Sequence, residues 1–211
     1  MLFVLTVGLA WGNVASAWAT RTGSSGTFAG LHEPSGARHA GEGIAFEVNG
    51  ETTNLGVVIA DLKALASNEA LQVATVRDGG DLLPVPEVAA TWITSLIYDR
   101  VLAQELERRG VGVTARQQLV ARKLERHTYE PQARKALPDG FQSREIARTA
   151  RAAALAKDEG LDVASPRGGR HLVDLVTELT RNATVVVAPR FGTWDPLLAV
   201  VVPPQEAGPS S

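Results

Sequence analysis

The stretch VVVAPRFGTWDP runs from Val185 to Pro196. Its three β-branched residues favour an extended backbone. Pro189, which has no N–H to offer a ladder, ends the extension. Gly192 then permits a turn, and Trp194 is large enough to cover one end of a small sheet. So short a strand needs a partner. The candidate is IAFEVNG, Ile44 to Gly50, where Ile44, Phe46 and Val48 alternate with Ala45 and Glu47, the period of a half-buried strand. Asn49 and Gly50 tolerate positive φ and end it. Pairing the two strands, with LAVVV (198–202) available beside them, closes the chain on itself. In that reading Phe46, Val48, Val185, Val187 and Trp194 form a structural clasp.

Between the two strands the pattern is helical. Asn54 is placed to cap a helix whose Leu55, Val58, Ile59, Leu62 and Leu65 recur at steps of three and four, one apolar stripe. SNEALQVATVRDGGDLLPVP (67–86) breaks the pattern at Gly79-Gly80 and two prolines. The strongest helix then starts at Pro86, with Glu87 at the positive end of its dipole. Val88, Trp92, Leu96, Ile97, Val101, Leu102 and Leu106 trace its apolar face. Arg108 and Arg109 occupy the last turn, and Gly110 is a natural stop. About 24 residues make a rod of about 36 Å, which needs packing partners along its length. Thr114 caps a helix with Leu119, Val120 and Leu124 inward. LPDGF (137–141) makes a turn, an alanine-rich helix follows to Gly160, and SPRGG (165–169) makes another break. A last helix carries Leu172, Val173, Leu175, Val176 and Leu179. The fold class is mainly α with a small terminal β-sheet.

Length and composition set the bounds. The 211 residues are 45% hydrophobic and 21% charged, ordinary for a folded domain. A net charge of −2 gives no global pull toward nucleic acid or anionic lipid. The absence of cysteine removes disulfides, thiolate metal sites and a cysteine nucleophile together. At the start, Leu2 to Leu9 is an apolar run too short to span a bilayer. Ala15-Ser16-Ala17 and Ala17-Trp18-Ala19 follow, each fitting a small-x-small cleavage site. The organisation read from this is a secretory signal peptide over 1–19, a Gly/Ser-rich linker over 20–43, a folded body over 44–202 and a tail over 203–211. The expected product is secreted or extracytoplasmic, with no stable membrane span after cleavage.

FEVNGETTNLGVVIADLKAL (46–65), followed by a long helix ending VLAQELERRGVGVTARQ (101–117), resembles the N-terminal chaperone domain of the SurA family of extracytoplasmic foldases. Glu105 to Thr114 matches the helix end of that family. The LPDGFQ turn and the closing VVVAPRFGTWDP look like those of its short actinobacterial members. The resemblance covers roughly Ile44 to Pro196. It implies a helical domain of the SurA N-terminal and trigger-factor peptide-binding type, closed by pairing of its terminal strands. The parvulin isomerase domain of the family has no counterpart in these residues, so the resemblance implies no catalysis.

No residue constellation points to chemistry. His32, His39, His127 and His171 have no i, i+4 pairing for a helical metal clamp, and no nucleophile elbow, Walker loop or dinucleotide fingerprint occurs. No cofactor, metal or catalytic residue is expected. LAQELERRGVGVTARQQLVARKL (102–124) has a glycine turn between helices, but net charge and the length of the first helix argue against a DNA-reading helix-turn-helix. Trp92, Leu96 and Ile97 are candidates to line a peptide groove, with core packing as their alternative role. The function expected is a noncatalytic, chaperone-like binder of unfolded or partly folded exported polypeptides. The alternatives are a cell-envelope module binding one folded partner and an isomerase-related protein.

Overall fold

A computed structural model describes residues 43–128, 131–137 and 139–204. The stretch read from sequence as a signal peptide (1–19), all but Gly43 of the stretch read as a linker (20–43), and the residues beyond Pro204 lie outside the described residues. The body is mostly helical with small antiparallel sheets. β1 (Ile44–Val48) turns at Asn49-Gly50 into β2 (Glu51–Asn54), and α1 (Leu55–Ala66) follows without a break. The side chain of Asn54 accepts the Gly56 N–H, the satisfied N-cap its residue type favours. β1 is the middle strand of a sheet ordered β2-β1-β5, where β5 is Val185–Val187. In the β1–β5 ladder Phe46 faces Val187 and Val48 faces Val185.

Strict alternation along β1 does not hold. Ala45 and Phe46 are both buried, because the register with β2 slips between Ile44 and Phe46. Such a bulge turns consecutive side chains to one face. The stretch at 67–86 is more than a break: β3 (Thr75–Asp78) and β4 (Asp81–Pro84) form a hairpin across Gly79-Gly80. Leu83 of this hairpin reaches the main core.

The central element is α2 (Pro86–Arg109), with Pro86 in its first turn and Gly110 left-handed at its end. One half of it, through Ile93, Ile97 and Val101, packs in a core with Phe46, Val48, Val58, Leu62, Phe141 and Phe191. The other half, through Tyr98, Leu102 and Leu106, packs in a second core with Leu155, Leu172 and Val176. Each fully buried side chain of this size contributes roughly 1.5–3 kcal/mol. Val88, Trp92 and Leu96 are only half-buried, so the deep stripe runs through Ala90, Ile93, Ile97 and Val101.

α3 (Ala115–Thr128), the short α4 (Pro131–Ala136), α5 (Asp139–Asp158) and α6 (Pro166–Arg181) complete the helices among the described residues. Thr114 and Gln117 cap α3 reciprocally. The Gln117 N–H reaches the Thr114 hydroxyl, and Gln117 Oε1 accepts from the Thr114 N–H, the capping-box arrangement. The expectation that Leu119 and Val120 face inward is wrong: they are 55% and 46% exposed, while Ala121 and Glu125 are buried. Small residues let α3 sit close on the alanine-rich α5, and Gln117 reaches across to the Ala153 carbonyl. That contact turns Leu119 and Val120 outward. Val173 is likewise exposed on α6. SPRGG is the start of α6, not a break. Ser165 caps it through the Gly168 N–H, and a Cβ at Gly168 would lie 2.1 Å from the Asp162 carbonyl oxygen.

The C-terminal run does not join the first sheet. β6 (Thr193–Asp195) and β7 (Val200–Val202) form their own hairpin. Gly192 opens it at φ 122°, and a Cβ there would stand 2.0 Å from the Val202 carbonyl oxygen. The hairpin is fastened to α2 by Thr94, whose hydroxyl donates to the Ala90 carbonyl and accepts the buried Val201 N–H at 2.9 Å. Replacing Thr94 by Val leaves that N–H without a partner. Chemical denaturation should show a loss of about 1–3 kcal/mol; an unchanged midpoint would mean that the Thr94 bond does not hold the hairpin.

Candidate functional site

α5 presents two stripes of different character. One stripe, with Ser143, Ile146, Ala147 and Ala150, lines a cleft of about 290 Å³ together with Val113, Gln118, Arg122 and Arg151. Its lining sets apolar Val113, Ile146, Ala147 and Ala150 beside polar Gln118, Ser143 and Arg122. Ligand pockets for small molecules run roughly 300–1,000 Å³, so this space lies at the lower end of that range and has room for one or two inserted side chains.

The other stripe is ionic. Arg144 pairs with Asp61 of α1, and Arg148 with Glu145 one turn before it. Nη1 of Arg151 donates to both carboxylate oxygens of Asp99 on α2, at 2.7 and 2.9 Å. The Arg144–Asp61 and Arg151–Asp99 pairs tie α5 to α1 and α2. Burial pushes the Asp61 carboxyl above the usual carboxylate range, and the Arg144 guanidinium only partly offsets it. Burial also raises Glu145; Arg148 and Arg144 oppose this, while the neighbouring Asp99 and Glu125 carboxylates add to it. Glu125 is itself buried, with Oε1 unpartnered, as is Oδ2 of Asp61. At the far end of α5, Arg109 of α2 joins Glu105, Asp158 and Glu159. The hydrogen bond from Arg108, helped by Arg109, holds Glu105 at about 2 against the opposing effect of burial.

Of the residues singled out from sequence, Ile97 is 0% exposed and sits in the main core. It has no surface to offer a peptide. Trp92 and Leu96 are half-buried against the same core, and Trp92 stacks on Phe141 with ring centroids 4.8 Å apart and planes 6° from parallel. Phe46, Val48 and Val187 are buried and Val185 half-buried, and Trp194 packs against both cores. The indole N–H groups of Trp92 and Trp194 are buried without partners. His171 is exposed on α6; His32, His39 and the side chain of His127 lie outside the described residues. Among the described residues no group of three or more His, Asp or Glu is arranged to hold a metal ion, and no helix is long and apolar enough to cross a membrane.

The cleft and the ionic stripe were not anticipated from sequence. A signal existed: Arg144, Arg148 and Arg151 recur at i, i+4 and i+7, which puts three cations on one side of a helix. Asp61 likewise interrupts the apolar stripe of α1 at an inward position. No protein-family model, no curated protein and no solved structure matches the chain.

The ionic stripe makes a pH-dependent prediction. Arg144→Leu leaves Asp61 buried without its cation. For a partly exposed pair this should cost about 2 kcal/mol at neutral pH. Without Arg144 the folded-state pKa of Asp61 rises further above its unfolded value. The penalty is therefore full above that pKa and lifts as pH falls through it. Denaturation at neutral and mildly acidic pH should show the mutant's deficit shrinking on acidification; a deficit that grows or stays constant would refute the role given to Asp61.

Proposed function

We propose that this protein is a noncatalytic holder of unfolded or partly folded polypeptides, exported from the cytoplasm. The domain would be of the SurA N-terminal type that its sequence resembles, closed by its paired terminal strands and without isomerase chemistry. The observation that carries the reading is the α3–α5 cleft. Its apolar Val113, Ile146, Ala147 and Ala150 accept apolar side chains. Its polar Gln118, Ser143 and Arg122 can hydrogen-bond an extended backbone without selecting a sequence. The half-exposed Trp92 and Leu96 would extend the contact surface on α2. A cleft of this size grips one or two side chains weakly, as a holder that must release its client requires.

A second reading, a cell-envelope module for one folded partner, is favoured by the β6–β7 turn. Leu197 and Leu198 are 82% and 52% exposed there. Asp195 Oδ1 accepts both of their N–H groups, which fixes the pair in a defined pose.

Aggregation of several unrelated, thermally unfolded proteins tests the two readings. The wild-type chain should suppress aggregation of all of them. Ala147→Arg, which fills the cleft, should abolish most of that suppression with its helical signal retained. No suppression, or suppression indifferent to Ala147→Arg, would overturn the cleft as the holding site. Action on one protein alone would favour the dedicated module.

A further inference from the structure

Charge is unevenly distributed along this nearly neutral chain. Residues 115–151 hold nine of its 21 Lys and Arg but only four of its 23 Asp and Glu. Of the four acids, Glu125 and Glu145 are turned into the interior seam. The cations of α3 are not: Arg116, Arg122, Lys123 and Arg126 are all exposed, and among the described residues none of them forms an ion pair.

Arg116, Leu119, Val120, Lys123 and Arg126 are spaced so that they share the helix face opposite Ala121 and Glu125. That face combines three cations with two aliphatic side chains that packing against α5 has excluded from the core. Isolated exposed apolar residues are common; two flanked by cations that pair with no described residue are not explained by the fold. The face is convex, the outside of a single helix, with the cleft on a different side of α3. A folded protein partner would have to supply a groove for it. A bilayer needs none, because headgroups and acyl chains rearrange around a helix lying in the interface plane.

We infer that the outward face of α3 is a docking surface for an anionic lipid bilayer. Arg116, Lys123 and Arg126 meet headgroup phosphates, with their aliphatic stems laid along the interface. Leu119 and Val120 enter the boundary between headgroups and acyl chains. The acidic remainder of the chain, twelve basic against nineteen acidic residues, is repelled by the same surface. That fixes which side of the molecule faces it. Docking of this kind is peripheral and reversible, and involves no membrane span.

The test is co-sedimentation of the full chain with vesicles of phosphatidylglycerol mixed with phosphatidylcholine, beside vesicles of phosphatidylcholine alone. Binding should favour the anionic vesicles and weaken as salt is added. Changing Arg116, Lys123 and Arg126 together to Gln should weaken binding about a hundredfold, and Leu119→Ser with Val120→Ser about tenfold. All five residues are exposed, so both variants should melt with the wild type; each substitution made singly provides a milder variant. Residues 1–42 are common to every variant, so binding through them would survive all the substitutions, and that result would overturn the assignment. Equal binding to the two vesicle types would overturn it too. Binding to poly-glutamate through the same residues, with none to vesicles, would assign the face to an acidic protein instead.

Discussion

The antiparallel pairing of β1 with β5 is the contact on which the rest of the structure depends. It joins residues about 140 positions apart, and among the described residues every α-helix lies in the excursion between them. Two backbone hydrogen bonds and one to a side chain carry the seam beyond the strands. Ala188 donates to the Ala45 carbonyl, Asn49 donates to the Thr184 carbonyl, and the Asn49 side chain accepts the Thr184 N–H, each at 2.8 Å. Asn49 stands at φ 51°, a conformation asparagine tolerates better than most residues. Its amide donates to Gln104 of α2, and Gln104 in turn donates to the Val48 carbonyl. One turn residue thus binds the first strand, the last strand and the central helix. Because these contacts are so distant in sequence, the loop entropy of closing the excursion must be met by both cores that α2 spans.

Much of this architecture was legible in local chemistry. Asn54, Pro86, Gly110, Thr114 and Gly160 announced helix ends because caps and stops act over three or four residues. The helical body and the first strand followed from periodicity, whereas the β3–β4 and β6–β7 hairpins were not read from it. The misreadings share a cause. Leu119 and Val120 obey helical spacing as a core pair would, but the inward face of α3 is chosen by which side chains fit against an alanine-rich neighbour, and Ala121 fits better. The bulge at Ala45 depends on the register with β2, which no single strand reveals. Gly168 is needed in the first turn of a helix because the Asp162 carbonyl, six residues earlier, leaves no room for a Cβ, a steric fact hidden in what reads as a loop motif. The candidate site was less legible still. A cleft is a property of two helices, and Asp61 becomes a seam residue only when α5 brings Arg144 to it.

The helices α3 and α5 carry both surfaces proposed to act. Their inner junction is a narrow cleft with a partly apolar lining, and the outer face of α3 is basic and partly apolar. The ionic stripe behind the cleft anchors α5 to α1 and α2, so a ligand entering the cleft meets a wall that is braced. A holder docked by the outside of α3 would work close to a membrane surface with the cleft on another side of that helix. Neither surface requires a nucleophile, a metal or a cofactor.

The central claim is that the last twenty or so described residues are part of the core. The most direct measurement is a thermal melt, with limited proteolysis, of a chain ending at Asn182. Without β5, Phe191, Trp194 and Val201 the main core loses one strand and its end cover. The account predicts a sharply lowered melting temperature and rapid cleavage within α2 and α5. A truncated chain that melts with the full-length protein and resists protease equally would contradict it.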